Sequence, residues 1–159
     1  MPKPNVSPNI TFDEYACQHC HKLPPGFLDD DLQLSLEYQI LFKGFEEIRE
    51  KRGGKPLGVE SGYRCRDHEQ ALYDAWVEGG KKGAVHGFLS IHLFGLALDL
   101  TPIDWVDQAK IVKLARALKP KPRIGWAQYK KSGSLLVHID YGQFVQPCPT
   151  LDFQPGLEW

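Results

Sequence analysis

The sequence predicts a single domain of mixed α+β class. Three observations carry that prediction: a length of 159 residues, apolar residues recurring at helical period, and short apolar runs with strand alternation between them. A chain of this length buries one real core and is short for two. With 42% hydrophobic and 25% charged residues, its composition is that of a globular protein rather than a disordered or fibrous one.

Along the chain, residues 1–28 hold proline, asparagine and a Cys/His cluster, and read as an irregular segment anchored by Phe12 and Tyr15. From Asp29 onward, Leu34, Tyr38, Leu41, Phe45 and Ile48 fall on one helical face, and Gly53-Gly54 can end that helix. Pro56 to Glu60 reads as a short strand leading into Ser61-Gly62-Tyr63-Arg64. Asp67 is placed to cap a second helix running through about Val77. A glycine-rich loop at Gly79–Gly83 precedes the strand Leu96–Leu100, on which alternation puts Ala97 and Asp99 on one face and the leucines on the other. Asp104 caps a third helix with the apolar stripe Trp105, Ala109, Val112, Ala115 and Leu118, which Pro120 and Pro122 terminate. Arg123–Trp126 and Leu135–Tyr141 read as two paired strands joined by a turn at Lys130–Gly133, with Leu136, His138 and Asp140 facing the same way. The main body thus spans 29–142, and residues 143–159, with Pro147, Pro149 and Pro155, form a strap expected to pack on it.

Lys and Arg number 19 against 20 acidic residues, which excludes the basic footprint of a nucleic-acid binder. No signal-peptide pattern and no run of eighteen apolar residues is present. The expectation is therefore a product made in the cytoplasm, monomeric and without membrane insertion.

The chemistry concentrates in two places. Asp99 sits in a leucine-rich strand, where a buried carboxylate is costly unless it is paired or bound to a cation. His92, Asp99 and His138 together offer the nitrogen and oxygen donors of a catalytic zinc site, with a fourth position left for water. The second place is Cys17-Gln18-His19-Cys20-His21, with Cys65 and Cys148 elsewhere. Its pattern matches c-type haem attachment, but the export and axial ligand that such chemistry needs are not evident. A structural zinc knuckle using Cys17 and Cys20 with another Cys or His, and free buried thiols, both stay open.

Ser61-Gly62-Tyr63-Arg64, then Ser90-x-His92-x-x-Gly95-x-Ala97-x-Asp99, then Val137-His138-x-Asp140, in that order and over roughly residues 10 to 142, resemble the M15 family of zinc D-Ala-D-Ala peptidases. The resemblance implies the Hedgehog/DD-peptidase fold, a small antiparallel sheet flanked by helices, with Zn2+ held by His92, Asp99 and His138 and with Arg64 lining the substrate cleft. It implies cleavage of amide bonds in peptidoglycan stem peptides, by a D,D-carboxypeptidase or a phage endolysin that reaches the cell wall through another protein's pore. The alternative is a module of the same fold that binds cell wall or builds a virion without hydrolysis.

One departure from the family's pattern matters. Many members carry a carboxylate three residues before the last zinc histidine, where this chain has Leu135. Asp140, on the same strand face as His138, is the candidate catalytic base. It is equally a candidate for orienting a ligand histidine, or for replacing His138 as ligand. His86 offers a further acid or base in a glycine-flanked loop, and Trp126 with Tyr129 can wall the cleft.

Overall fold

The computed structural model describes residues 5–80, 90–145 and 158. Its centre is a four-stranded, fully antiparallel sheet in the order β3-β4-β6-β5, formed by β3 (Gly58–Ser61), β4 (Ala97–Thr101), β5 (Arg123–Gly125) and β6 (Val137–Asp140). A separate small hairpin, β1 (Asn5–Ser7) with β2 (Ile10–Thr11), leads into the one-turn helix α1 (Phe12–Tyr15), so the segment read as irregular carries regular structure at its start. Thr11 and Glu14 close a reciprocal capping box on α1. The α+β class and the antiparallel sheet flanked by helices both stand.

The longest helix, α2 (Leu36–Lys51), buries Tyr38, Leu41, Phe42, Phe45 and Ile48, the face that the apolar spacing predicts. It begins later than Asp29, because residues 28–34 fold into a turn closed by a bridge between Leu28 and Leu34, with the Asp29 carboxylate accepting from the backbone of Asp31 and Gln33. α3 (Arg66–Glu78) is capped by Cys65 rather than Asp67, which sits in its first turn.

α4 (Trp105–Ala117) starts where expected, with the Asp104 side chain accepting from Asp107 N–H at 2.8 Å. Its buried face is Asp107, Gln108, Ile111, Val112, Ala115 and the following Leu118. Trp105 and Ala109 are exposed instead, because the face that Ile111, Val112, Ala115 and Leu118 bury continues toward the helix start through Gln108 and Asp107, polar residues that apolar spacing does not register. β5 and β6 do pair, but the connection between them contains a short helix, α5 (Ala127–Lys131), and β6 begins only at Val137.

One face of the sheet carries Val59, Leu98, Leu100, Ile124, Val137 and Ile139, all buried in the core that α4 and α2 complete. The opposite face carries Ser61, Asp99, His138, Asp140 and Arg123, so β4 and β6 are buried on both sides. This is why a strand of three leucines and an aspartate's neighbours reads as continuous apolar sequence with one polar interruption.

A buried ion pair, Arg52 with Asp107, anchors the start of α4. Arg52, 3% exposed, donates from Nε and Nη2 to the two carboxylate oxygens, the second at 2.6 Å, and from Nη1 to the carbonyls of Lys55 and Pro56. It ties the end of α2, the turn into β3 and the start of α4 to one point. Asp107→Asn is expected to cost about 3 kcal/mol at neutral pH, because the guanidinium stays buried without its counter-charge. The Arg52 hydrogen bonds hold the Asp107 carboxyl below its usual 3.8. The wild-type contribution is therefore complete above that value and is lost as pH falls through the folded-state pKa, so the stability gap to the variant should narrow in acid. Urea unfolding of both proteins near neutrality and below the carboxylate range measures it.

Candidate metal centre

Four separate stretches of chain build the polar face. Asp99 and His138 are direct cross-strand partners in the β4–β6 ladder, and Ser61 pairs with Asp99 on the other side, past an irregularity between Val59 and Ser61. His92 comes from outside the sheet, on a 3-10 turn at Ile91–Phe94 whose first N–H groups are capped by Ser90: its hydroxyl accepts from His92 N at 3.3 Å. Gly95 ends that turn with φ +71°, a left-handed conformation that lets the chain enter β4 directly. A Cβ there would also lie 2.5 Å from Pro24 and 2.7 Å from the Tyr15 hydroxyl.

The three predicted ligands converge. His92 Nε2 lies 3.3 Å from His138 Nδ1 and 3.2 Å from one Asp99 oxygen, while His138 Nδ1 lies 2.8 Å from the other. All three residues are buried, at 3%, 4% and 7% exposure. His92 Nδ1 faces the Gly62 carbonyl, which only accepts, so that nitrogen carries the proton. His138 Nε2 faces the Asp140 carboxylate at 2.9 Å and carries its proton for the same reason. In the neutral rings, the two remaining nitrogens therefore point bare lone pairs at each other and at a carboxylate. Such a set requires a proton or a metal cation at its centre, and two imidazoles with one carboxylate suit a borderline ion such as zinc.

Electrostatics follow from this packing. Burial lowers the His92 pKa despite the nearby Asp99 charge. Burial also opposes charge on His138, but its hydrogen bonds to Asp140 and Asp99 outweigh that and hold the ring up to about 9. Asp99 is held well below the carboxylate range, against its desolvation, by the two histidines.

Arg64 lies beside the cluster and joins it. Its Nη2 donates to Asp99 at 2.6 Å, its Nη1 to Glu69 at 2.9 Å and its Nε to the Ser61 hydroxyl at 2.7 Å. Asp140 lies on the far side of His138. Its Oδ1 accepts from Arg123 Nε and the Gly142 N–H, its Oδ2 from Arg123 Nη2 and His138 Nε2, and the residue is fully buried. Arg123 is its cross-strand partner in β5. These contacts place Asp140 where it can orient the His138 ring, one of the roles left open for it.

Two residues near the cluster carry weaker sequence signals. Glu69 is 5% exposed at the start of α3, where an acidic residue reads simply as a helix-terminus charge. The Tyr129 hydroxyl, on α5, is pushed up to about 12, by burial first and then by the charge of Asp99. Trp126 instead donates its Nε1–H to Glu158 at 3.2 Å. Leu135 is half-buried just before β6, and its carbonyl accepts from Gln108. His86 and Cys148 lie outside the described residues.

An α+β fold whose sheet gathers two imidazoles and a carboxylate on one face, each held by its own hydrogen-bond partner, carries a candidate metal centre. The family model described as Peptidase M15 matches residues 8–140, and the chain belongs to that family, as a metallopeptidase. A comparison with curated proteins found no match.

Removal of any of the three ligands should abolish metal retention. His92→Ala and Asp99→Ala are expected to bind no zinc at this site, read by metal analysis after dialysis. Gly62→Ala should lose it indirectly, because the added Cβ would stand 2.4 Å from the Tyr15 ring and 2.7 Å from its carbonyl, displacing the carbonyl that orients His92.

Proposed function

We propose that the protein is a zinc peptidase that hydrolyses amide bonds in the stem peptides of peptidoglycan and acts as a monomer at the cell wall. Its reaction would be that of a D,D-carboxypeptidase or an endolysin-type endopeptidase. The observation that carries the reading is the convergence of the His92, Asp99 and His138 donor atoms beside Arg64, within motifs that run in the family's order.

His92 Nε2, one Asp99 oxygen and His138 Nδ1 would hold the ion. Bound there, zinc supplies Lewis acidity, activating a water and polarising the scissile carbonyl. The protein's own residues supply the rest. The Gly62 carbonyl and the Asp140 carboxylate orient the two rings and hold a proton on His92 Nδ1 and His138 Nε2, so that His92 Nε2 and His138 Nδ1 are the nitrogens that would face the ion. Arg64 holds Asp99 in place, and its Nη1 and Nη2 each keep a second N–H. With the side chain 19% exposed, those N–H groups are available to a substrate carbonyl or terminal carboxylate.

Proton transfer falls to Glu69. Among the described residues the buried carboxylates are Glu69, Asp99, Asp107 and Asp140. Asp99 is a ligand, Asp107 serves Arg52 and both Asp140 oxygens are saturated, whereas Glu69 joins the cluster through Arg64 alone. It would take the proton of the attacking water and return it to the leaving nitrogen.

Purified protein should release cleaved peptides from muropeptides, and a zinc chelator should stop the release. No cleavage under zinc-replete conditions, beside an active control enzyme, would overturn the reading in favour of a non-hydrolytic wall-binding or virion module, the alternative that Leu135 in the base slot favours. Glu69→Gln is expected to lower kcat by about 100- to 10,000-fold with zinc still bound. Asp140→Asn should instead weaken zinc by about 10- to 100-fold and recover activity as zinc is raised. An Asp140→Asn enzyme that stays inactive at full zinc occupancy would assign the base to Asp140.

A further inference from the structure

A second cluster of metal-binding side chains lies away from the His/Asp centre, and the activity does not use it. The Sγ atoms of Cys17, Cys20 and Cys65 lie within 4.8 Å of one another, though the residues are separated by up to 48 positions in sequence. None is in a disulfide. Cys17 is fully buried directly after α1, and its N–H donates to the Lys22 carbonyl at 3.0 Å while its carbonyl accepts from His21 N–H at 2.7 Å. With His21 at φ +55°, these bonds fold residues 17–22 into a closed knuckle that brings Cys20 back beside Cys17. Cys65, the cap residue of α3, approaches from the other side, and its N–H donates to Cys17 Sγ at 3.2 Å.

We propose that Cys17, Cys20 and Cys65, with His68 as fourth ligand, form a structural zinc site. A tetrahedral ion with Zn–S of about 2.3 Å and Zn–N of about 2.0–2.1 Å has a sulfur-to-nitrogen edge of about 3.5 Å. His68 Nδ1 stands 3.5 Å from Cys17 Sγ, which matches one of the three edges a fourth ligand makes; turning its side chain toward Cys20 and Cys65 would complete the others. His19 Nδ1 makes an equal approach to Cys65, but His19 is exposed on the knuckle, whereas His68 is half-buried on the first turn of α3 and needs less ordering.

The surroundings prepare a thiolate. Burial alone would raise the Cys17 thiol, but backbone N–H groups of Cys65, Cys20 and His19 and the His68 ring bring it down to about 6. Three sulfurs this close repel one another once ionised, and burial and the neighbouring thiols Cys17 and Cys20 push Cys65 up. A divalent cation removes that conflict.

The site's place in the fold gives it a purpose. It joins the segment after α1 to the residue that immediately follows Arg64, and so fixes the strand-to-helix junction from which that guanidinium reaches Asp99. The assignment stands apart from the peptidase reading, because its readouts do not involve hydrolysis.

The test is metal analysis with cobalt spectroscopy on the full chain. Wild type is expected to hold a second equivalent of zinc beyond the one that His92→Ala removes, and Cys20→Ser should lose that second equivalent only. Cobalt-loaded protein should show an intense thiolate-to-cobalt charge-transfer band in the near ultraviolet that survives in His92→Ala. His68→Ala should weaken the band and His19→Ala should leave it intact; the reverse pattern would overturn the choice of His68. Should Cys20→Ser fail to fold, wild type alone decides: zinc must protect the three cysteines from alkylation. Cysteines that alkylate equally with and without zinc, a cobalt protein lacking the thiolate band, or a haem Soret band would each overturn the site.

Discussion

The antiparallel register of β4 against β6 is the constraint from which the rest of the centre follows. It sets Asp99 opposite His138 and Ala97 opposite Asp140, while β5 adds Arg123 opposite Asp140. Because side chains alternate, a slip of one residue would send the carboxylate and imidazole into the leucine face and bring Leu98 and Ile139 out. Burial of Leu98, Leu100, Val137 and Ile139 against the helices forbids that slip. The energy that fixes the ligand geometry is thus supplied by the opposite face of the same strands, and the small Ala97 leaves room beside the polar row.

Charge on the polar face is arranged in two linked groups. On one side Arg64 sits between Asp99 and Glu69; on the other Arg123 neutralises Asp140. His138 lies between the two, bonded to both aspartates. A buried array of this kind is tolerable only because each member has a partner, and removing one exposes the others to an uncompensated charge at low dielectric. The polar face is therefore a cooperative unit, and its stability and its capacity to hold a cation rest on the same bonds.

Much of this is legible in the chain. The lone aspartate among leucines, the histidine seven residues before it and the histidine on a later strand announce the donor set, because each is out of place in an apolar context. The α2 face is legible because its burial is purely apolar. The α4 face is misjudged at Trp105 and Ala109, since its first buried turn is made of Asp107 and Gln108, polar residues that hydrophobic spacing passes over. Glu69 escapes notice for a related reason: an acid near a helix start has an ordinary explanation, and only the fold reveals that Arg64 reaches it. Asp140 is visible as a same-face neighbour of His138, but its saturation by Arg123 depends on the β5 register, which no local pattern encodes.

Tyr15 gives the N-terminal segment an unexpected standing. Its carbonyl accepts from Tyr63 N–H at 2.8 Å and its hydroxyl donates to the Gly95 carbonyl at 2.5 Å, so one side chain and its own backbone touch both stretches that deliver Arg64 and His92. The arginine and the histidine, 28 residues apart in sequence, are thereby referenced to a third segment that contributes no donor to the cation. In engineering terms, the catalytic half of the molecule is not transplantable by itself: a chimera that borrowed the sheet and its ligands from this chain would have to borrow the turn around Tyr15 as well.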